Sequence, residues 1–153
     1  MPFISAVLIG VFDGLRSMTA PAVVAWAVHL GRLKLDGPLA FMGHTAAVAI
    51  FTILAVGELI ADKLPQTPSR TAAVGLGARI AAGGLAGACV LAGHGESAVV
   101  GALLGAAGGV AGAFGGYQAR TRLVKALGVR DIVVAVAEDL VAIGGCVAIV
   151  ALV

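Results

Sequence analysis

The amino-acid sequence predicts an all-α integral membrane protein that forms a single transmembrane domain over residues 1–153. Of these residues, 60% are hydrophobic and 12% are charged, whereas a soluble domain carries about 25% charged residues. The mean hydropathy is +1.08, and apolar runs of bilayer-spanning length alternate with short polar joints. A net charge of +2 without a basic tail is too small to indicate nucleic-acid binding.

Five helical segments are predicted, which correspond to about five transmembrane spans. Glycine, proline and capping residues mark the joints between them. The fourth segment is longer than a bilayer requires, so its polar end is expected to protrude into the interface. The predicted segments cover residues 3–30, 39–64, 72–92, 97–127 and 132–153.

The first segment is predicted to be discontinuous near Ser17–Pro21. Asp13 and Arg16 fall in an otherwise apolar run, and a charge at the bilayer centre costs roughly 2.5–3.5 kcal/mol. Proline is typical of the first turn of a helix. A half-helix starting there, capped by Thr19 or Ala20, would direct free backbone N–H groups into the membrane. With Arg16 beside it, this half-helix is expected to bind an anionic group.

Lysine and arginine are distributed unevenly between the two sides of the predicted spans. Six lie on the side that holds the second and fourth joints, against two on the other side, and positive charge favours the cytoplasm. The N-terminus is therefore expected in the cytoplasm if the first segment spans the membrane fully. If that segment is a re-entrant hairpin, the N-terminus moves outside and the other spans keep their direction. A multi-pass protein of the inner membrane is expected in both cases.

Small residues form one stripe on the fourth segment. Such stripes let helix backbones approach closely in a membrane. We interpret the stripe as packing inside the chain, with a homo-oligomer interface (a dimer favoured) or the wall of a permeation path as alternatives. Gly83 and Gly87 give the third segment a similar face, so tight packing of the third and fourth helices is expected. The stripe consists of Gly101, Gly105, Gly108, Gly112 and Gly115.

Charged residues from four segments are predicted to share one layer of the membrane. At about 1.5 Å per residue, they lie about 7–15 Å from the predicted cytoplasmic ends of their helices. Carboxylates outnumber cations at this depth, and unpaired carboxylates in a low dielectric hold a proton or bind a cation. The alternative is structural pairing, of Asp13 with Arg16 and of Arg79 with Glu138.

Three groups of side chains are predicted to carry function. The solute would be bound by Arg16, Ser17, Thr19 and Arg79. A coupling proton or cation would be taken by Asp13, Glu58, Asp62, Glu138 and Asp139. Lipid headgroups at the membrane surface would be contacted by Lys63, Ser69 and Arg70. The sequence contains no recognisable catalytic set, cofactor motif or Cys/His cluster, so no catalytic residue, cofactor or metal is assigned.

Four motifs in order carry a resemblance that spans essentially the whole chain. They are Gly14–Pro21 (GLRSMTAP), Ala61–Thr71 (ADKLPQTPSRT), Gly112–Tyr117 (GAFGGY) with Arg120, and Ala137–Asp139 (AED) followed by Gly144 and Gly145. Together they resemble an uncharacterised family of small bacterial inner-membrane proteins, a domain of unknown function. The resemblance implies a membrane location and carries over no activity.

The leading functional hypothesis is a small transporter or permease for a small anionic or polar solute, coupled to a proton or cation. A membrane enzyme acting on a lipid phosphate or headgroup is an alternative, with Glu58 and Asp62 binding Mg²⁺. The Asp13-Gly14 string resembles part of the CDP-alcohol phosphotransferase motif, but the full pattern is absent, so an enzyme is less favoured. A non-catalytic membrane assembly module is the third hypothesis. The expected partners are the lipid bilayer, a second copy of the chain, and the solute or a lipid headgroup.

Overall fold

The computed structural model describes residues 1–64, 69 and 71–153, and the regular elements in this part of the chain are helices. A 3₁₀ helix, Gly37–Gly43, precedes the third α-helix. The α-helices are α1 (Pro2–Leu15), α2 (Thr19–His29), α3 (Thr45–Ala61), α4 (Ala73–Ala92), α5 (Ala98–Leu127) and α6 (Asp131–Leu152).

Three of these helices, α4, α5 and α6, are long and apolar enough to cross a membrane. Their bounds agree with the predicted third, fourth and fifth segments to within one residue. The 3₁₀ helix and α3 together form a fourth candidate span, bent by 66°. The helices α1 and α2 are shorter. The structure therefore supports three or four candidate spans among the described residues, where the sequence predicted about five.

Local signals in the sequence explain where the long helices begin and end. The hydroxyl of Ser97 accepts a hydrogen bond from Val100 N at 3.4 Å and caps α5. Gly128 ends α5 in the left-handed conformation, with φ of +61°, which glycine adopts without steric cost. Asp131 then lies in the first turn of α6, where a negative charge is stabilised by the helix dipole.

The directions of the helices follow from their glycine contacts. A Cβ added at Gly101 would meet Gly87, and one added at Gly109 would meet the Arg79 backbone, so α4 and α5 are antiparallel. A Cβ added at Gly10 would meet Gly105, while Gly14 lies against the backbone from Gly109 to Ala113, so α1 runs parallel to α5. Helix α1 thus begins at the same end of the molecule as α5. We call the end where α3 terminates the charged end, and the end with the α4–α5 connection the opposite end.

Helix α2 returns in the direction from which α1 came. Met18 N donates to Glu58 near the end of α3, and Trp26 Nε1 donates to Thr52 Oγ1 at 3.1 Å, so α2 and α3 are antiparallel. Beyond α2, the Leu33 side chain lies against Gly93 of the α4–α5 connection. Helices α1 and α2 therefore form a hairpin whose tip points to the charged end. These contacts contradict one continuous span over residues 3–30 and fit the re-entrant arrangement.

The break in the hairpin lies at Arg16–Met18 and not at the proline. Arg16 is extended, with φ of −145° and ψ of 105°, and Met18 is the N-cap of α2. The expected cap at Thr19 or Ala20 is therefore wrong. Pro21 lies in the first turn of α2, where helix N–H groups lack an intrahelical acceptor and its missing N–H costs nothing.

Glycines bring α1, α4 and α5 close enough that backbone packs on backbone. A Cβ added at Gly105 would lie 2.9 Å from the Gly83 carbonyl carbon and 3.0 Å from Gly87 Cα. A Cβ added at Gly108 would lie 3.0 Å from Val11 N, and one at Gly112 would lie 2.8 Å from Val11 C. Gly115 differs from the other glycines of the predicted stripe, because a Cβ there would meet nothing within 4 Å.

Large apolar side chains cover the outside of this bundle. Ile53 is 70% exposed, and Leu103 and Leu140 are each 68% exposed. Contiguous apolar exposure of this kind marks a surface that another apolar phase covers. Together with the length of the candidate spans, it indicates a membrane protein.

Candidate functional site

Arg16 lies at the tip of the hairpin and is completely buried. Its Nε atom donates to Asp139 Oδ1 at 2.5 Å, and its Nη1 atom donates to the Leu15 carbonyl at 3.1 Å. Its Nη2 atom lies 2.9 Å from Asp62 Oδ2 and 3.7 Å from Glu138 Oε2. A buried guanidinium is tolerated only where acids compensate its charge, and here α3 and α6 supply them.

The acids that pair with Arg16 are shared with other cations. Lys63 Nζ lies 2.6 Å from Asp139 Oδ2 and donates to the Leu59 carbonyl at 2.8 Å. Arg120 Nη1 lies 2.9 Å from Asp62 Oδ2, and the same guanidinium forms a pair of hydrogen bonds with Asp131 at 2.9 and 2.6 Å. We refer to the connected set as the ion-pair network; it comprises Arg16, Asp62, Lys63, Arg120, Asp131, Glu138 and Asp139.

A further acid, Glu58, accepts hydrogen bonds from the backbone N–H groups at the hairpin tip. Its Oε1 atom accepts from Ser17 N at 2.9 Å and from Ser17 Oγ at 2.7 Å, and its Oε2 atom accepts from Met18 N at 2.8 Å. These N–H groups precede the first turn of α2, where the partial positive charge of the helix dipole favours an anion. A carboxylate of the chain itself therefore contacts the N–H groups at the start of α2, and the binding of an anionic solute there stays a prediction.

Arg79 connects Glu58 with the end of α1. Its Nη2 atom lies 3.6 Å from Glu58 Oε1, and its Nε atom donates to the Gly14 carbonyl at 2.9 Å. Its Nη1 atom donates to Gly75 O at 2.9 Å within α4. The neighbouring Asp13 is fully buried, and both of its carboxylate oxygens lack a hydrogen-bond partner among the residues that the structure describes.

A crevice of about 210 Å³ lies between α5 and α6 beside the network. Its lining is almost entirely apolar and includes Leu15, Leu123, Val134 and Val141. Two members of the network, Arg120 and Glu138, reach its wall. The crevice therefore connects the lipid-facing surface with the edge of the charged groups.

The structure brings most of the predicted site residues together, although they form two clusters. Arg16 meets Asp62, Glu138 and Asp139, which are three of the acids assigned to coupling. Ser17 and Arg79 meet the fourth acid, Glu58. Thr19 is buried at the start of α2. Of the two pairs proposed as structural, Asp13 with Arg16 is not formed, because Arg16 pairs with Asp62, Glu138 and Asp139 instead.

The assignment of surface residues to lipid headgroups requires correction. Lys63 turns inward to Asp139, so it is a member of the network and does not extend to the membrane surface. Ser69 is exposed, and its hydroxyl lies 2.9 Å from Thr71 Oγ1. Arg70 lies outside the described residues.

Sequence reasoning missed Arg120 and Asp131 as members of the network. The sequence places Arg120 in the protruding polar end of the fourth segment and Asp131 in the joint that follows it. Arg120 follows Gly112 and Gly116 at intervals of four, which places it on the buried glycine face of α5. That spacing was the available signal, because an arginine in register with a packing face must find acids inside the bundle.

Comparison with known proteins identifies a family but no activity. A family model described as a domain of unknown function, DUF4126, matches residues 4–152. No curated protein matches the chain. No solved structure matches it.

Proposed function

The chain belongs to the DUF4126 family, and we propose that it is a small membrane transporter in which the hairpin tip and the ion-pair network form the solute gate. One observation carries the proposal: a hairpin of two short helices ends inside the bundle, with Arg16 and the backbone N–H groups of Ser17 and Met18 at its tip. Broken helices are tolerated within a membrane only where protein or a polar cavity surrounds them. In transporters such breaks bind the solute and the coupling ion.

The present contacts describe a closed form of this gate. Glu58 accepts hydrogen bonds from the N–H groups of the tip, and Asp139 accepts one from Arg16. A small anionic or polar solute would have to replace one of these carboxylates. The displaced carboxylate would then be left without its donors in a low dielectric, where it must take up a proton or a cation. Exchange of an internal acid for a solute anion therefore links solute binding to a proton or cation.

The distribution of positive charge supports an orientation for this transporter. Lys63, Arg120, Arg122, Lys125 and Arg130 belong to the charged end. If positive charge lies inside, that end faces the cytoplasm of an inner membrane. The start of α1 then lies on the outer side together with the α4–α5 connection.

Electrical recording on reconstituted protein tests the proposal. Proteoliposomes on a solid-supported membrane would be exposed to a panel of small carboxylates, phosphate and neutral polar solutes, at two pH values. We expect a solute-evoked, proton-dependent current that Glu138→Gln reduces at least tenfold. The matched control is Glu96→Gln, since Glu96 is exposed and lies in the α4–α5 connection. The absence of current for every solute would contradict the proposal. Equal currents in Glu138→Gln and Glu96→Gln would also contradict it.

A non-catalytic assembly module is the second candidate, and the extensive pairing of acids with cations favours it. A homodimer is the form that we propose for it. Gly115 and Gly144 support a dimer, since a Cβ at either position would meet nothing within 4 Å among the residues that the structure describes. Single-molecule photobleaching in nanodiscs tests this idea with Gly115→Leu, which should shift two-step bleaching to one step. No observation favours the Mg²⁺ enzyme, because Glu58 and Asp62 are directed to different donors of the chain.

A further inference from the structure

Asp13 differs from the other acids of the bundle in its surroundings. It lies on the face of α1 that packs against α4 and α5, and none of its surface is exposed. A Cβ added at Gly83 would lie 3.2 Å from its Oδ2 atom, and one at Gly109 would lie 3.9 Å from it. Neither carboxylate oxygen has a hydrogen-bond partner in the described part of the chain. The carboxyl group is therefore enclosed by the backbones of two glycine-rich helices.

The groups that face Asp13 do not supply it with a dedicated counter-ion. From α4, Arg79 directs its guanidinium nitrogens to Gly14 O, Gly75 O and Glu58. From α3, Glu58 brings a like charge, and from α6, Cys146 brings a thiol.

Among the residues that the structure describes, the remaining neighbours of α1 bring no titratable side chain close to Asp13. Helix α5 presents glycines to α1 over this stretch. In α2 the first titratable side chain is His29, at the far end of the helix. Within the described residues, the surroundings of Asp13 therefore contain one cation that also contacts Glu58, one acid and one thiol.

An ionised carboxylate in this position would be unstable. Removing a charge from water without a partner costs far more than burying the neutral acid, and an intramembrane ionisable residue marks a proton or ion pathway. A metal ion is a poor alternative ligand, because Ca²⁺ takes six to eight oxygen ligands and Mg²⁺ is octahedral. Asp13 offers one carboxylate among glycine backbones.

We propose that Asp13 is a proton-binding site, occupied by a proton in the closed form, and that its proton is the coupling ion of the transporter proposed above. The coupling role rests on that proposed function; the binding of the proton does not. When the carboxyl O–H bond breaks, the proton passes to water admitted by movement of the hairpin. The carboxylate left behind attracts Arg79 away from Glu58, which weakens the hold of Glu58 on the hairpin tip.

Infrared spectroscopy of protein labelled with ¹³C at the aspartate carboxyl tests the site directly. The wild-type protein in nanodiscs should show the C=O band of a protonated aspartic acid at neutral pH, and the band should shift in D₂O and disappear on alkaline titration. Asp13→Asn should abolish the band. The matched control is Asp36→Asn, since Asp36 is exposed outside the helices, and it should retain the band.

A second variant leaves Asp13 in place. Glu58→Gln removes the neighbouring acid and frees Arg79 to approach Asp13, so the band should titrate away at a pH at least one unit lower than in the wild type. Four results would overturn the proposal. They are fully ionised aspartates at neutral pH, a band that persists in Asp13→Asn, an unchanged titration in Glu58→Gln, and a band that responds to Na⁺ at constant pH.

Flux measurements on the same samples separate this inference from the proposed function. A band at Asp13 without any solute-evoked current leaves the proton site standing and refutes the transporter. A proton-dependent current that Asp13→Asn does not change leaves the transporter standing and refutes the coupling role of Asp13.

Discussion

Replacing Gly105 by alanine should destabilise the bundle, because the added methyl group would meet the backbone of α4. The added Cβ would lie 2.9 Å from the Gly83 carbonyl carbon, whereas ordinary contact begins at 3.4 Å. Helix α4 must therefore withdraw by at least about 0.5 Å along this line, and the obstructing atoms are backbone, which cannot rotate away. Overpacking of this kind costs about 1–3 kcal/mol. The loss falls on the pair of helices that also encloses Asp13.

Gly115→Ala on the same helix is the matched control. A Cβ at that position meets nothing, and exchanging glycine for alanine inside a helix stabilises it by about 0.5–1 kcal/mol. The two variants should thus change the stability in opposite directions and differ by about 1.5–4 kcal/mol. A thiol-reactive dye can follow thermal unfolding in detergent, because Cys89 and Cys146 are both free and buried. Equal unfolding temperatures for Gly105→Ala and Gly115→Ala would refute the assignment of tight packing.

The same dye assay measures the charged groups. Arg16→Gln should destabilise the protein by about 3–5 kcal/mol, because it leaves the buried Asp139 and its neighbours without their shared cation; a loss below about 1 kcal/mol would show that the network is hydrated. Lys63→Gln should cost at most about 1 kcal/mol, since Lys63 is 26% exposed, and a larger loss would mean that it is the main partner of Asp139. Glu58→Gln should cost about 1–3 kcal/mol, because one of the donors at the hairpin tip loses its acceptor; full stability would mean that water replaces the carboxylate.

The sequence predicted the long helices well, because each is a continuous apolar run closed by strong terminal signals such as Ser97 and Gly128. It did not decide whether the first segment spans or returns. That outcome depends on Gly10 and Gly14, which let α1 lie parallel to α5 in backbone contact. The glycine stripe of α5 predicts a close backbone contact, but it does not identify the helix that packs against it.

The polar site was predicted in part for a related reason. Counting residues along each helix placed most of the acids in one layer of the membrane, and the structure brings Arg16 to Asp62, Glu138 and Asp139. Counting did not show which cation pairs with which acid, since the pairing depends on how each helix is rotated and on which helices are neighbours in the bundle. The excess of carboxylates inferred from the sequence is reduced once Arg120 turns inward.

The sign of each charge at the hairpin tip follows from the backbone that it contacts. Helix α1 ends there in carbonyl groups, and a cation holds each of the last two: Arg79 donates to Gly14 O and Arg16 donates to Leu15 O. Helix α2 begins there in N–H groups, and an anion, Glu58, accepts from them. Each charge therefore complements a helix dipole as well as an ion partner.

A double substitution separates these two roles. Glu58→Arg together with Arg79→Glu preserves the pair of opposite charges and reverses its direction relative to both helix ends. If pairing alone stabilised the tip, the double variant would recover most of the stability that each single variant loses. Because both helix ends would then face a charge of their own sign, we expect no recovery, and the thiol-dye unfolding temperature of the double variant should not exceed that of the less stable single variant. Recovery to within 1–2 °C of the wild type would show that the dipoles contribute little and that the tip is held by ion pairing.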